Sequence, residues 1–271
     1  MNFEAILWEK TPEGIVKVTL NRPERLNAIN GPLADEVTTV IDQTNADPEA
    51  RVLVLTGAGR AFCAGADMGV MLGGMQSAQQ KNAWGTDQNR MALRQGFQRI
   101  TRGLWNSNVP TIASVNGVAV GGGFDIVCAC DMVVASEAAR FMVAYTRRAL
   151  FPDLGGFWFI PRVLGVRKAA ELIYTGDFMD AAEAKEWGLL NYLTTPNKLA
   201  EVTMDLAQRV AAGPPIANRL SRLLMRKCAA MDLDTALEWS ATAATISENS
   251  EDHRESIDAF NEKRPTKFRG R

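Results

Sequence analysis

Leu55-Thr-Gly-Ala-Gly-Arg-Ala-Phe-Cys-Ala-Gly-Ala-Asp67 follows directly on Arg51-Val-Leu-Val, a run whose apolar residues predict a strand covered on both faces. A strand that ends in a glycine-rich turn opens like a dinucleotide fingerprint, where three spaced glycines let a helix N-terminus meet a pyrophosphate, but the third glycine is absent here. No Gly-Lys-Ser/Thr follows any glycine cluster, so a phosphate-cradling loop is excluded as well. Gly65, and the triplet Gly121-Gly122-Gly123 within Asn116-Gly-Val-Ala-Val-Gly-Gly-Gly-Phe-Asp125, each lie just after a predicted strand. Backbone without side chains lets a ligand approach closely there. Two amides aimed at one oxygen stabilise negative charge developing on it, and losing one such donor costs about 3–4 kcal/mol. Glycines serving only tight turns have the same composition, so either cluster taken alone leaves both readings open.

Outward from these turns, Gly14-Ile-Val-Lys-Val-Thr-Leu20 alternates as a half-buried strand, and Asn21-Arg-Pro23 ends it because proline cannot continue the ladder. Leu33, Val37, Val40 and Ile41 recur at helical spacing up to Gln43. Thr111–Val115, Met132–Ala135 and Arg140–Ala144 read as strands, with a helix opening between Gly123 and Cys130. This alternation is an α/β pattern. The polar, Gln- and Met-rich stretch from Gln76 to Trp105 predicts a mobile helical flap. Beyond Leu164, the segments 167–175, 180–187, 198–212, 215–228, 232–247 and 252–260 read as helices, and the C-terminal third is read as all α. No internal repeat of solenoid length is visible.

Composition narrows the function. With 271 residues and 46% hydrophobic content, the chain can bury a large core. Thirty basic against 31 acidic residues leave a net charge of −1, too little to draw in nucleic acid. Met1-Asn2-Phe3-Glu4-Ala5 lacks the basic start and apolar stretch of a signal peptide, and no run of about 18 apolar residues occurs, so no membrane partner is expected. The four cysteines have no framework spacing and fit a reducing, cytoplasmic setting. Cys128-Ala-Cys130 lacks the further ligands of a metal site in a chain with one histidine, and no metal is expected. That histidine, His253, sits among charges and is read as solvated, so no histidine-activated nucleophile is expected.

Val18-Thr-Leu-Asn-Arg-Pro23, Arg25-Leu-Asn-Ala28 and the two glycine segments resemble the enoyl-CoA hydratase/isomerase (crotonase) family. The resemblance continues through Cys130-Asp131, Pro152-Asp-Leu-Gly-Gly156, Ala182-Glu-Ala-Lys-Glu-Trp-Gly188 and Phe260-Asn-Glu-Lys-Arg264. It implies a crotonase-like spiral of ββα units over residues 1–200, followed by an α-helical trimerisation region over 201–271, in a homotrimer or dimer of trimers. It also implies an acyl-CoA substrate, with coenzyme A as part of that substrate and no separate cofactor. The amides of Ala66 and Gly122 would form an oxyanion hole. Arg25, Leu26, Ala28, Ala64, Ala66, Asp67, Met68 and Gly69 would line the CoA channel, and Phe260 and Lys263 would reach CoA from a neighbouring subunit. As a residue in a charged helical run, Lys263 also reads as simply solvated.

Hydratases of this family hold a water between two glutamates, and the matching positions here are Asp125 and Tyr145. A phenol with a pKa near 10 is no carboxylate base at neutral pH. Phe151-Pro-Asp-Leu-Gly-Gly-Phe-Trp-Phe159 resembles the isomerase branches instead, where an aspartate at the position of Asp153 shuttles a proton. The residues expected to carry catalysis are therefore Asp153, Asp125, Tyr145, Ala66 and Gly122. Nearby Phe151, Phe157, Trp158 and Phe159 would desolvate Asp153 and raise its pKa. Read without the resemblance, Asp153 is a helix N-cap and Asp125 a residue complementing a helix dipole. The expected activity is an isomerase-like double-bond shift, with hydration of an enoyl-CoA or acyl-CoA binding without catalysis as alternatives.

Overall fold

The structure, a computed structural model, describes residues 3–69 and 86–271. Its strands β1 (Ile6–Lys10), β2 (Ile15–Leu20), β3 (Val52–Gly57), β5 (Thr111–Val115), β7 (Met132–Ser136) and β10 (Tyr192–Thr194) form one sheet in the order β1-β2-β3-β5-β7-β10. β1 and β2 are antiparallel, and from β2 onward the pairs are parallel. A second sheet runs β4 (Ala61–Cys63), β6 (Val118–Val120), β8 (Arg140–Met142) and β9 (Phe178–Asp180). Three successive pairs, β3/β4, β5/β6 and β7/β8, each send their first strand to the larger sheet and their second to the smaller one. A helical segment follows each pair: α2 (Thr86–Gln95) with α3 (Gln98–Trp105), then α4 (Gly122–Ala129), then α5 (Gly156–Thr175). This repeat is the ββα spiral of the crotonase fold.

Period-two geometry explains why β3 reads as uninterrupted apolar sequence. Leu53 and Leu55 enter the main core, while Val52 and Val54 face the opposite side, where Leu199, Leu206 and Ala207 of α7 (Leu199–Ala211) cover them. Residue 200 thus falls inside a helix that packs on the sheet. Helix α1 (Gly31–Ala46) starts where the Asn30 side chain accepts the Leu33 amide at 3.0 Å, and it buries Leu33, Val37, Val40 and Ile41.

Two short strands correct the all-α reading of the C-terminal part. β9 pairs antiparallel with β8, and β10 adds a parallel edge to β7 on either side of α6 (Ala181–Glu186). Each has three residues, too few for a period-two pattern, and owes its conformation to the edge it extends. The expected flap is described only from residue 86 onward, as α2 and α3; residues 76–85 of it lie outside the described residues. In the rest of the C-terminal segment, α8 (Pro215–Lys227) docks Arg222 into the core, whereas α9 (Leu233–Glu248) has no buried residue and exposes Leu233, Leu237, Trp239 and Ile246. α10 (Glu251–Glu262) is tied to the tail through Asp252, which accepts the amides of Arg269 and Gly270 at 2.6 and 2.8 Å. His253 is exposed on it, as its charged surroundings imply.

Asp131, just beyond α4, anchors α8. It accepts the amide and hydroxyl of Thr111 at 2.8 and 2.9 Å, Nε of Arg222 at 2.7 Å, and a guanidinium nitrogen of Arg226. The remaining nitrogens of Arg222 bond the carbonyls of Leu104, Trp105 and Ser107. Burial by itself would raise the Asp131 pKa, but the two guanidiniums outweigh it and hold the group below the usual carboxylate range.

Candidate active site

Residues 26–29 run beside residues 64–67. The Ala64 amide donates to Leu26 O at 3.0 Å, Ile29 N to Gly65 O at 2.7 Å, and Asp67 N to Ile29 O at 2.9 Å. In this parallel bridge between Ile29 and Ala66, the bonds are made by Gly65 and Asp67, so the Ala66 amide points to the other side. It has no acceptor among the described residues. Two residues in the left-handed region, Leu26 (φ 50°) and Asn27 (φ 56°), turn the first segment. Asn27 is fully buried; its side chain accepts the Arg22 amide at 2.9 Å and donates to Ala58 O and Ala61 O at 2.9 and 2.8 Å. Arg22 donates to Ala28 O at 2.5 Å and to Asp67 Oδ2 at 3.0 Å. Asp67 is thereby engaged, and the Arg22 hydrogen bond holds its pKa below the usual range. Arg22 and Asn27 were missed as site residues. Only their place inside the matching motifs signals them, because beyond the local Arg22–Asn27 and Arg22–Ala28 bonds their partners lie 31 to 45 positions away along the chain.

The second glycine segment meets the first backbone to backbone. A Cβ on Gly123 would lie 2.2 Å from the Cys63 carbonyl oxygen, and one on Gly65 would lie 2.7 Å from Val120 O and 3.5 Å from the Gly122 amide nitrogen. Close approach therefore requires glycine here, beyond any need of the turn itself. Gly122 is the first residue of α4, so its amide has no partner inside the helix. The amides of Ala66 and Gly122 thus emerge from two touching loops with neither committed to an acceptor among the described residues.

A third wall comes from the segment before α5. Leu154 packs on the Gly121–Gly123 turn: a Cβ on Gly122 would meet Leu154 Cδ1 at 2.4 Å. Its neighbour Asp153 is half-buried and borders a cavity of about 590 Å³ together with Gln98, Arg102, Trp105, Trp158 and Phe159; Leu154 is the residue that links this cavity to the glycine loops, since neither Ala66 nor Gly122 lines it. Gln98 donates to the Asp153 carbonyl at 2.7 Å. The N-cap of α5 is Gly155 at φ 106°, so Asp153 is not the cap, and its own backbone amide is the one hydrogen-bonding influence on its carboxylate. Burial pushes its pKa up, as the aromatic sequence implies, although Phe151 and Phe157 keep more than half of their surface in solvent. Trp105 and Trp158 meet edge to face at 4.6 Å, and Trp158 and Phe159 at 5.1 Å.

Asp125 and Tyr145 are brought together. The tyrosine hydroxyl donates to Asp125 Oδ2 at 2.7 Å, and both residues are buried. Among the channel candidates, Ala28 is buried, Ala64 and Ala66 are half-buried, and Arg25, Met68 and Gly69 are exposed, with the Gly69 amide donating to Asp67 Oδ1 at 3.0 Å. Phe260 is 83% exposed on α10, and Lys263 ends that helix at φ 54°. No hydrogen bond joins either to the glycine loops among the described residues. Burial lifts the Cys63 and Cys130 thiols to about 12, so they are protonated at neutral pH.

The ββα spiral with paired glycine loops defines a class, and the comparisons agree with it. Residues 10–271 match the family described as enoyl-CoA hydratase/isomerase, and the chain belongs to that family. It is 32% identical to the 1,2-epoxyphenylacetyl-CoA isomerase of Escherichia coli K12 over 260 residues, covering 96% of each chain. It is also 32% identical to the crotonyl-CoA hydratase of Syntrophomonas wolfei over 269 residues, 99% of each. The crystal structure of enoyl-CoA hydratase from Bacillus anthracis superimposes with a TM-score of 0.89 at 33% identity, over 99% of this chain and 100% of that one.

Proposed function

We propose that this protein is an enoyl-CoA isomerase that moves a double bond with one carboxylate base, Asp153. The observation that carries this reading is the Asp125–Tyr145 hydrogen bond. It joins the two positions that would otherwise flank a water to each other, and leaves Asp153 as the one carboxylate bordering the cavity among the described residues. The thioester oxygen lies between the amides of Ala66 and Gly122. Asp153 takes a proton from the carbon beside the thioester carbonyl, or from the far end of the enoyl system. The two amides hold the resulting dienolate, and the proton returns at the other carbon. Arg25 to Ala28 and Ala64 to Gly69 line the CoA channel.

A homotrimer or dimer of trimers belongs to the same reading, since it covers the apolar residues that α9 exposes and brings a neighbour's Phe260 and Lys263 toward the CoA. Sedimentation as a monomer would contradict this part.

Incubation with a β,γ-unsaturated acyl-CoA is expected to produce the absorbance of the conjugated enoyl thioester, with little hydration of crotonyl-CoA under the same conditions. Efficient hydration of crotonyl-CoA with an unchanged β,γ-isomer would replace the reading by hydration. Tight thioester binding with turnover of neither substrate would replace it by a binding role.

A further inference from the structure

We infer that Asp125 carries its proton and, as acceptor of the Tyr145 hydroxyl, ties the helix behind Gly122 to the segment bearing Asp153, positioning the base instead of acting as a second one. Asp125 lies in the first turn of α4, three residues beyond Gly122. Its Oδ2 takes the Tyr145 hydrogen bond at 2.7 Å, whereas Oδ1 is buried with no hydrogen-bond partner among the described residues. Oδ1 is pressed against the start of α5: a Cβ on Gly156 would lie 2.2 Å from it and 2.9 Å from Pro152 Cβ. The tyrosine ring meanwhile lies 3.9 Å from where a Cβ on Gly121 would be. One hydrogen-bonded pair therefore touches both the turn that presents the Gly122 amide and the 152–156 segment that presents Asp153.

Protonation follows from the lone oxygen. An ionised carboxylate would leave half of its charge on a buried atom that no donor reaches at hydrogen-bonding geometry, although the amides of Gly156 and Leu154 lie near it, whereas a neutral hydroxyl without a partner costs far less. The titratable groups that face Asp125 are Tyr145 from the segment after β8, Asp153 from the segment before α5, and Cys128 on its own helix, and no cation is among them. In agreement, burial is the dominant influence and lifts the Asp125 pKa to about 7; the Tyr145 hydrogen bond and the nearby backbone amides of Gly156 and Leu154 oppose the rise, and the Asp153 charge adds to it. Asn at this position reproduces the shape and neutrality of the protonated acid and still accepts from Tyr145, while Ala does not.

Three measurements test this, and the first two do not depend on the isomerase reading. In the infrared difference spectrum of wild type against Asp125→Asn at about pH 6, a protonated carboxylic acid band is expected, given the usual aspartate pKa near 3.9. Its absence, or a carboxylate band in its place, overturns the proposal. Thermal melts give the second. A group whose folded pKa is raised stabilises fully below its unfolded pKa and loses that contribution as pH climbs toward the folded value. The melting temperature of Asp125→Asn should therefore rise relative to wild type as pH increases from about 4 to about 7, and a constant difference speaks against it. In kinetics, Asp125→Ala and Tyr145→Phe are each expected to lower kcat about tenfold with little change in KM, the size of one lost buried hydrogen bond. Asp125→Asn should recover most of what Asp125→Ala loses and keep the acid limb that Asp153 sets. A loss in Asp125→Asn as deep as in Asp153→Asn would make Asp125 a second base. Failure of the kinetic arm with the first two intact would count against Asp125 as a positioning residue while leaving its protonation standing.

Discussion

Asp153→Asn is expected to lower kcat by about 10²–10⁴-fold, the range in which positioned acid–base groups contribute, with KM changed only a few-fold. The reason is local. Asp153 borders the cavity while its backbone is held by Gln98 and its neighbour Leu154 rests on Gly122, so an amide can occupy the same place without moving the loops. Binding is therefore retained and proton transfer lost. The wild-type pH profile should show an acid limb, because protonated Asp153 is no base. Burial raises its pKa, so that limb falls at a higher pH than for a free aspartate, and it should vanish from whatever activity Asp153→Asn keeps. Full turnover by Asp153→Asn, measured on a β,γ-unsaturated acyl-CoA, would remove the residue from its role.

The second large effect concerns stability. Asp131→Ala is expected to cost about 3–5 kcal/mol in urea or guanidinium unfolding, as breaking a buried charge network does. The side chains of Arg222 and Arg226 are only 5% and 10% exposed, and Asp131 is the acidic partner of both. Removing it leaves two buried guanidiniums without a counter-charge and the Thr111 amide and hydroxyl without their acceptor. A carboxylate whose folded pKa is depressed contributes stability above its unfolded pKa and loses it as pH falls toward the folded value. The gap between wild type and Asp131→Ala should accordingly narrow below about pH 4. A difference under about 1 kcal/mol, the level of an exposed ion pair, would show that the network contributes little.

Features that depend on local spacing were legible in the sequence. β3 announced itself because both of its faces are covered, and the two glycine segments because backbone contact there excludes a Cβ. β4, β6, β9 and β10 were not, since three residues carry no periodicity and each is defined by the neighbour it pairs with; β8, equally short, was read only as part of the longer apolar run to Ala144. The ββα spiral came from resemblance, because which sheet a strand joins is a tertiary fact. At the site, Asp153 was recognisable from its motif, but that it does not cap the helix needed the position of Gly155. Asp125 and Tyr145, 20 positions apart, each suggested a separate role, and only their 2.7 Å hydrogen bond joins them. Asp131 with Arg222 and Arg226, separated by 91 and 95 positions, offers no sequence signal for its pairing.

The mass of the thioester recovered after incubation with a mixture of 2-enoyl- and 3-enoyl-CoA, read together with its conjugated-enoyl absorbance, tests the central claim most directly. Isomerisation by Asp153 predicts an unchanged mass with the 3-enoyl species depleted in favour of the conjugated one, and the same mixture left as it was by Asp153→Asn. A product heavier by one water, formed by wild type from the 2-enoyl-CoA while the 3-enoyl-CoA persists, would contradict it.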